Sequence, residues 1–347
     1  MKTTLSSNEK SGIKIEPKEL STAIASLEYD KATEISDVTR WTAQLQSLLV
    51  VFEEAQKQDA MLKCLDGTRI SDIYKTDKDK ELKKEIDTLA EEWRRSLVDG
   101  QRKLFNMDGF YPYYTSMTGN LKKKILFVGR EACYMADNDY MSTVYSHLVK
   151  NDFNGWTLNQ YPFHRRQFYL AYGIMSALKN GGTAPKWDDV PWASEMVLGD
   201  TAKNAKRIFA ADGENSISWA FINLSKLSNE TGDYRTDSAR YVPFVSDQRN
   251  QAFIREEIRL LKPDVIIGAN VFELVGILDY DAEKVDTENE SCYYYAPVES
   301  EKFKDRLPPF LNCYHFAAIK SDGKCFYDPV MQVLEKNWND LGFESRI

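Results

Sequence analysis

The stretch Arg255-Glu256-Glu257-Ile258-Arg259-Leu260-Leu261-Lys262-Pro263-Asp264-Val265-Ile266-Ile267-Gly268 decides the fold. Its first half is typical of an amphipathic helix that begins at Asp247 or Asn250 and ends near Lys262. Pro263 ends this helix, and the apolar run at 265–268 is typical of a buried strand. A helix that runs directly into a buried strand indicates a β–α–β unit and therefore a parallel sheet.

Three other stretches also combine a short apolar run with a polar end: Lys124-Ile125-Leu126-Phe127-Val128-Gly129, Ser218-Trp219-Ala220-Phe221-Ile222-Asn223 and Leu311-Asn312-Cys313-Tyr314-His315. With 265–268 they predict an α/β fold: three layers, with a short, mostly four-stranded parallel sheet between helices. Ligands of such sheets bind at the carboxyl ends of the strands. We therefore expect the residues at or just past these ends to meet at one edge: Arg130, Glu131, Asn223, Asn270 and His315.

The first 110 residues carry helical patterns instead of strands. Apolar residues recur at helical spacing over 37–65 and again over 77–105, where the opposite face is densely charged. This predicts an N-terminal helical extension: residues 1–110 form a helical region packed on the core, and residues 111–347 form the α/β domain. Further helices are predicted over 137–150, 163–178, 271–278 and 329–341.

The composition is that of an ordinary globular protein. The 347 residues are 43% hydrophobic and 28% charged, and no apolar run is long enough to span a bilayer. Residues 1–10 lack the apolar segment of a secretory signal, and the five cysteines form no Cys-x-x-Cys pair. We therefore expect a cytoplasmic protein with reduced thiols, no membrane association, and no metal, iron–sulfur cluster or other cofactor. The sequence does not indicate the oligomeric state.

The formal net charge of −8 argues against non-specific binding to nucleic acid, which phosphate neutralisation drives. Two basic clusters, Lys122-Lys123-Lys124 and Arg165-Arg166, are candidates for a local basic groove. The more ordinary interpretation of each cluster is a solvated surface.

The stretch whose residues are best suited to catalysis or ligand binding is Gly129-Arg130-Glu131-Ala132-Cys133-Tyr134. A glycine at a strand end permits a tight turn and a close approach of ligand to backbone. Glu131, in a partly desolvated crevice, can act as a general base on water, or it can simply cap a helix or pair with Arg130. Asn223 can read the edge of a nucleobase or bond to a neighbouring loop. His315 can stabilise an oxyanion or play an ordinary structural role.

Taken together, these strand ends resemble the uracil-DNA glycosylase superfamily over about residues 119–341. Residues 124–131 look like the family's first motif, and Ala220-Phe221-Ile222-Asn223-Leu224 is similar to the middle motif with its Asn. Residues 255–268 match a helix-to-strand unit seen across the superfamily, and Cys313-Tyr314-His315-Phe316-Ala317-Ala318 occupies the late motif. Ala132 replaces the family's Pro in the first motif, and Phe316 and Ala317 replace Pro and Ser in the last.

The resemblance implies a DNA-repair enzyme that hydrolyses the N-glycosidic bond of a flipped nucleobase without a metal or cofactor. It implies that Glu131 positions or deprotonates water, Asn223 reads the base and His315 stabilises the departing base. Gly129 and Arg130 would line the substrate site, and one of three rings would stack on the base: Phe168, Tyr169 or Tyr134. The expected partner is DNA or a nucleotide.

Two alternatives stay open. In the first, the chain keeps the fold without the chemistry and uses the crevice to bind nucleic acid, a nucleotide or a protein partner. The acidic charge and the altered motifs favour this alternative. In the second, Cys133 and His315 form a nucleophilic pair in a hydrolase of another substrate, which requires contact between the two side chains.

Overall fold

The computed structural model describes Tyr74 and residues 76–117, 123–140, 144, 147, 157–198, 218–231, 235–286 and 291–339. All of them belong to one unit of the chain, Lys63–Ile347. The helix predicted at 37–65 lies outside the described residues, as does most of the helix predicted at 137–150. The domain boundary at residue 110 stays a prediction.

Seven strands form one mixed sheet: β1 (Gly109–Phe110), β2 (Ile125–Cys133), β3 (Trp219–Asn229), β4 (Val265–Ala269), β5 (Val285–Asp286), β6 (Cys292–Tyr295) and β9 (Phe310–Cys313). Their order is β1-β3-β2-β4-β9-β6-β5. A separate two-stranded sheet pairs β7 (Glu299–Ser300) with β8 (Asp305–Arg306).

The parallel core β3-β2-β4-β9 consists of the four strands that the sequence predicts, which confirms the α/β class. The expected four-stranded sheet is nevertheless corrected to seven strands. The additional strands β1, β5 and β6 pair antiparallel at the two edges. They are two to four residues long, too short to show the alternating pattern by which strands are recognised in a sequence.

Three of the predicted strand ends are wrong, and one of them is that of β9, which ends at Cys313, two residues before His315. β2 continues past Gly129 to Cys133, with an irregularity between Glu131 and Cys133, and β3 continues past Asn223 to Asn229. Gly129 pairs with Asn223 within the sheet, and a Cβ on Gly129 would lie 2.7 Å from Oδ1 of Asn223. This glycine therefore admits a neighbouring side chain instead of forming a turn.

The described helices are α1 (Asp77–Ser96), α2 (Asp99–Arg102), α3 (Pro162–Lys179), α4 (Ala193–Leu198), α5 (Ser238–Ser246), α6 (Gln248–Leu261), α7 (Glu273–Leu278) and α8 (Asp328–Lys336). Short 3₁₀ turns span Leu158–Gln160, Trp187–Asp189 and Ala282–Lys284, and a π-helical turn spans Gly323–Tyr327. The predicted helix over 77–105 breaks after Ser96. No described helix has the length and apolar character needed to cross a bilayer.

The helix α6 forms as its sequence predicts. The side chain of Asp247 accepts hydrogen bonds from the backbone N–H groups of Arg249 (2.7 Å) and Asn250 (3.3 Å), which caps the amino end. The helix ends at Lys262, whose left-handed φ of 48° turns the chain into Pro263 and β4.

Alternate residues of β2 belong to two apolar cores, one on each face of the sheet. Phe127 packs with Trp219, Phe221 and residues of α3 and α8. Leu126 and Val128 pack with residues of α1, α5, α6 and α7. The structure therefore has helices on both faces of the central sheet, in three layers.

A buried charge cluster joins β3 to the layer of α1 and α6. The ammonium of Lys226 contacts the carboxylate of Asp108 and lies 2.7 Å from Oε2 of Glu257, and each of the three side chains is at most 5% exposed. Nζ of Lys226 also lies 5.3 Å from the ring centroid of Trp93 in α1, and Nε1 of Trp93 donates to Oδ1 of Asn250 (2.8 Å).

The charges in this cluster shift one another's pKa values. Burial alone would lower the pKa of Lys226, but Asp108 and Glu257 raise it above its ordinary value. Burial raises the pKa of Glu257 to about 7, against the opposing effect of Lys226. One ammonium faces two carboxylates here, so protonation of Glu257 leaves a balanced pair of opposite charges.

We predict that Glu257 makes stability depend on pH. Between pH 4.5 and about 7 the folded chain keeps a proton on Glu257 that the unfolded chain releases, so the free energy of unfolding falls as pH rises through this window. Glu257→Gln removes this contribution, which amounts to at most about 1.4 kcal/mol per pH unit. Denaturant unfolding at a series of pH values measures the difference in slope.

The control is Glu256→Gln, because Glu256 pairs with Arg259 at the surface and its side chain is 34% exposed. This variant should keep the wild-type slope. Equal slopes for the wild type and Glu257→Gln would contradict the prediction.

Candidate functional site

The order of the sheet strands reverses at β2. β3 follows β2 in the chain and lies on one side of it, whereas β4 lies on the other side. Such a reversal opens a crevice at the carboxyl ends of the two strands that diverge, here β2 and β4. Arg130 of β2 and Asn270, which follows β4, meet there: Nε of Arg130 donates to the backbone oxygen of Asn270 (2.9 Å).

His315 belongs to the same group of residues. The backbone N–H of Asn270 donates to the carbonyl of Cys313 (2.8 Å), which ties the end of β4 to the end of β9 just before His315. The charge of Arg130 also acts on the imidazole of His315. The structure therefore brings Arg130, Asn270 and His315 together at one edge of the sheet, as the sequence predicts.

These three side chains are half-buried, yet each keeps polar atoms without a hydrogen-bond partner among the described residues: Nη1 and Nη2 of Arg130, the amide group of Asn270, and Nε2 of His315. Asn270 has a left-handed φ of 61°. The guanidinium of Arg130 lies over the ring of Tyr241, 5.8 Å from its centroid, which supports it from one side.

The imidazole of His315 is a neutral hydrogen-bond donor at neutral pH. Burial lowers its pKa to about 4, with further lowering by the positive charges of Arg130 and Arg166. The backbone N–H of Ala317 donates to Nδ1 (3.3 Å), so we assign the proton of the neutral ring to Nε2. The ring of Phe163 lies beside the imidazole, with 5.8 Å between the centroids.

Glu131 is held in place through one of its two oxygens. Its Oε1 accepts hydrogen bonds from Nδ2 of Asn229 (3.1 Å) and from the backbone N–H of Asp237 (2.9 Å). Burial raises the pKa of this carboxyl above its ordinary value, with a smaller opposing contribution from Arg130. Oε2 has no hydrogen bond to the described residues, so one oxygen remains available to a ligand or water.

Within the described residues, Glu131 and His315 are connected only indirectly, through Arg130. Arg130 is the charged group that acts on the pKa values of both. Cys133 is not among the described residues that contact His315, so the proposed Cys133/His315 nucleophilic pair gains no support. Cys133 lies at the end of β2, paired with Asn229 across the sheet.

Asn223 is committed to the protein itself. Its backbone N–H and its Nδ2 both donate to the carboxylate of Asp108, at 2.5 and 3.1 Å, and the residue is 2% exposed. The prediction that Asn223 reads a nucleobase is therefore corrected to a structural role. Its partner is a carboxylate 115 residues earlier in the chain, whereas the sequence suggested a neighbouring loop.

The aromatic candidates are also corrected. Phe168 is 1% exposed and packs perpendicular to Trp219, at the end of β3 opposite to the crevice. Tyr169 is 3% exposed and packs against Trp187. Both rings belong to the core and cannot stack on a ligand in this arrangement.

Phe163, near the start of α3, places an aromatic ring beside His315. It contacts the rings of Phe221, His315 and Phe316 at centroid distances of 5.7 to 5.8 Å. Tyr134, the third candidate of the sequence, is half-buried just past β2, with a left-handed φ of 56°.

The two basic clusters do not form a groove at this site. Lys123 and Lys124 lie at the amino end of β2, away from the crevice, and Lys122 lies outside the described residues. Arg166 is 2% exposed, which corrects its interpretation as part of a solvated surface. Its donors bind backbone carbonyls of the loop after His315. No local pattern indicated this role, because every residue has a backbone carbonyl and such a contact leaves no signal in the sequence.

Sequence reasoning also missed Tyr241, whose ring lies against Arg130, and Glu273, which acts on Tyr241. Burial raises the pKa of Tyr241, and the carboxylate of Glu273 raises it further. Among the described residues, no group of three or more His, Cys, Asp and Glu side chains is placed to hold a metal ion.

We predict that NMR titration will assign His315 a pKa near 4, and that Arg130→Gln will raise it. Removal of a neighbouring positive charge favours the protonated ring, so the shift must be upward. The chain has three histidines, and His315→Asn identifies the signal of this one. Arg240→Gln is the matched control, because Arg240 pairs with Asp237 at the surface and should leave the titration unchanged. An unaltered pKa in Arg130→Gln would show that the two side chains are not neighbours.

Comparison with known proteins finds no matching family model, no matching curated protein and no matching solved structure. The resemblance to the uracil-DNA glycosylase superfamily thus remains a prediction from the motifs.

Proposed function

We propose that the crevice at the carboxyl ends of β2 and β4 binds a nucleobase-containing ligand, and that the chain is a nucleic-acid-binding member of the uracil-DNA glycosylase-like folds. One observation carries the proposal: three half-buried side chains with unused polar atoms, those of Arg130, Asn270 and His315, meet at this edge. These polar atoms are not buried, so they are accessible to a ligand, and the donors among them suit one rich in acceptors.

The three groups match the parts of a nucleotide. The guanidinium of Arg130 offers a fork of donors suited to phosphate oxygens. The neutral Nε2–H of His315 and the amide of Asn270 suit the carbonyl oxygens and ring nitrogens of a base. Phe163 supplies a half-buried aromatic ring beside them, and every base has a face that can stack on such a ring.

An exposed apolar residue favours a polymer over a free nucleotide. Ile319, four residues after His315, is fully exposed at 104% of its reference area. The next residue, Lys320, holds its ammonium over the ring of Tyr314, 4.2 Å from the centroid. An apolar side chain at a loop tip beside a base-binding crevice is suited to contact unstacked bases, and a lysine next to it is suited to phosphate.

Hydrolysis of an N-glycosidic bond is the second candidate, favoured by the geometry of Glu131. One carboxylate oxygen is anchored by two donors while the other is unbonded within the described residues, and burial raises the pKa of the group. A carboxylate held in this way can orient a water molecule. We rank hydrolysis below binding because Asn223, the residue expected to read the base, is bonded to Asp108.

For the binding proposal, we predict that the protein binds a fluorescent single-stranded oligonucleotide at low salt, measured by anisotropy. Arg130→Gln and His315→Ala should each weaken binding about tenfold, equivalent to about 1.4 kcal/mol, because each removes one donor group of the crevice. Arg240→Gln should bind like the wild type. Ile319→Ala should weaken binding of the oligonucleotide while leaving binding of a mononucleotide unchanged, with Val242→Ala, another exposed apolar residue, as its control.

A wild-type protein that binds neither oligonucleotides nor mononucleotides at low salt would overturn the proposed function. Binding of mononucleotides alone, with no effect of Ile319→Ala, would overturn only the choice of a polymer.

For the hydrolysis candidate, we predict abasic sites in oligonucleotides that contain uracil or another altered base, detected by alkaline cleavage and gel electrophoresis. Glu131→Gln should reduce the rate about 100-fold or more while keeping oligonucleotide affinity, because a general base contributes to the reaction and not to binding. Glu230→Gln, a carboxylate at the end of β3, is the matched control. Wild-type protein that binds the oligonucleotide but releases no base would reject hydrolysis of the bases tested and retain the binding function.

A further inference from the structure

The loop that follows His315 is organised by one buried arginine from another element. Arg166 of α3 donates from Nη1 to the carbonyls of Phe316 and Ala318 (the latter at 2.9 Å) and from Nη2 to the carbonyl of Lys320 (2.8 Å). Its Nε donates to Oδ1 of Asp322 (2.7 Å). The guanidinium also packs on the ring of Phe326, with its Cζ 3.9 Å from the centroid.

We propose that Arg166 is a positioning residue, which holds the 315–320 loop in the conformation that presents His315 and Ile319 to the ligand. This inference rests on the proposed function and names the group that shapes the same site. Arg166 acts through the loop backbone, and no direct contact of its side chain with the ligand is required.

Arg166 orients the imidazole of His315 through the peptide groups on the two sides of Ala317. Arg166 binds the carbonyls of Phe316 and Ala318, which flank Ala317 on both sides. The N–H of Ala317 donates to Nδ1 of His315, and the N–H of Ala318 donates to the carbonyl of His315 (2.8 Å). The hydrogen bond that sets the orientation and tautomer of the imidazole therefore depends on the peptide groups that Arg166 holds.

The contacts of Arg166 on the two sides of Ile319 are also consistent with the exposure of that side chain. The carbonyls of Ala318 and Lys320, on either side of it, both point to the guanidinium of Arg166. The backbone on both flanks of Ile319 is thus held toward the protein, and its side chain is left fully exposed.

An arginine is needed for this arrangement. Its planar group carries five N–H donors in a fixed fork, so one side chain can serve three carbonyls and a carboxylate together. A lysine at the same position has a single nitrogen with three donors on a flexible stem. Arg166→Lys therefore keeps the positive charge while losing the simultaneous contacts.

Arg165 is a matched control in the adjacent position. It also binds Asp322, with 2.8 Å between its Nε and Oδ2, and its Nη1 donates to the carbonyl of Asn159 (2.6 Å). None of its donors binds a carbonyl of the 315–320 loop. Substitution of Arg165 tests the loss of a half-buried arginine that pairs with Asp322 without loss of the loop contacts.

The experiment compares Arg166→Lys, Arg166→Gln and Arg165→Gln in the full chain. Three quantities are measured: oligonucleotide affinity, the NMR titration of His315, and the midpoint of thermal unfolding. We expect both Arg166 variants to lose at least about tenfold in affinity. Loss of the charge alone raises the pKa of His315 in Arg166→Gln, so the titration is decided by Arg166→Lys, which keeps the charge; there we expect a raised pKa because the displaced imidazole is less buried. Arg165→Gln should remain within about twofold of the wild-type affinity and keep the wild-type titration.

A purely structural role for Arg166 makes a different prediction. Arg166→Lys would then unfold at lower temperature while the folded protein kept the affinity and the His315 titration of the wild type, and this result would overturn the proposal. If Arg166→Gln fails to fold, Arg166→Lys decides by the same criteria. Amide hydrogen exchange of Ala317 and Ala318 in the wild type is a further test, since rapid exchange of both would contradict an ordered loop.

The titration needs no ligand, so the proposal and the function can fail separately. Absence of oligonucleotide binding by the wild type, together with an altered His315 titration in Arg166→Lys, would reject the proposed function and keep the positioning role. Binding by the wild type that is unchanged in folded Arg166 variants would do the reverse.

Discussion

The arrangement of this domain depends on one buried positive charge, the ammonium of Lys226 in β3. It contacts Asp108, which directly precedes β1, and Glu257 of α6, so it links the sheet to the helix layer. Loss of one partner from a buried ion pair costs about 3–5 kcal/mol, because the other charge then remains desolvated and unpaired. Trp93 lies over the ammonium and brings α1 into the same cluster. These contacts thereby link the edge strand β1, the neighbouring β3 and the helices α1 and α6.

This cluster also determines what the sheet can offer to a ligand. Asp108 receives two hydrogen bonds from Asn223 in addition to its contact with Lys226. The carboxamide that the resemblance assigns to base reading is therefore part of the stabilising network. The polar groups that remain unused lie at the reversal of strand order, where Arg130 joins the loop after β4 to His315. A crevice of donors favours binding of an acceptor-rich ligand, and the anchored carboxylate of Glu131 is the group that would add hydrolysis to binding.

The two arginines near His315 differ in burial and in the groups to which they donate hydrogen bonds. Arg130 is half-buried and keeps donors that bind no described residue, whereas Arg166 is buried and donates to loop carbonyls and to Asp322. Burial keeps His315 neutral and both charges add to this effect, so the imidazole serves as a donor and not as a cation. The positive charge at this edge is local, so the net charge of −8 does not conflict with the proposed binding of phosphate groups there.

The sequence by itself determined the elements whose signals are local: the four parallel strands, the helix α6 with its cap at Asp247 and its end before Pro263, and the edge at which polar residues gather. Only the tertiary structure decided which of those polar groups are free. Asn223 finds its partner 115 residues away, and Arg166 reaches carbonyls about 150 residues away. Both kinds of partner are invisible to a local pattern, because a contact between distant segments leaves no spacing to detect and a carbonyl is the same in every residue.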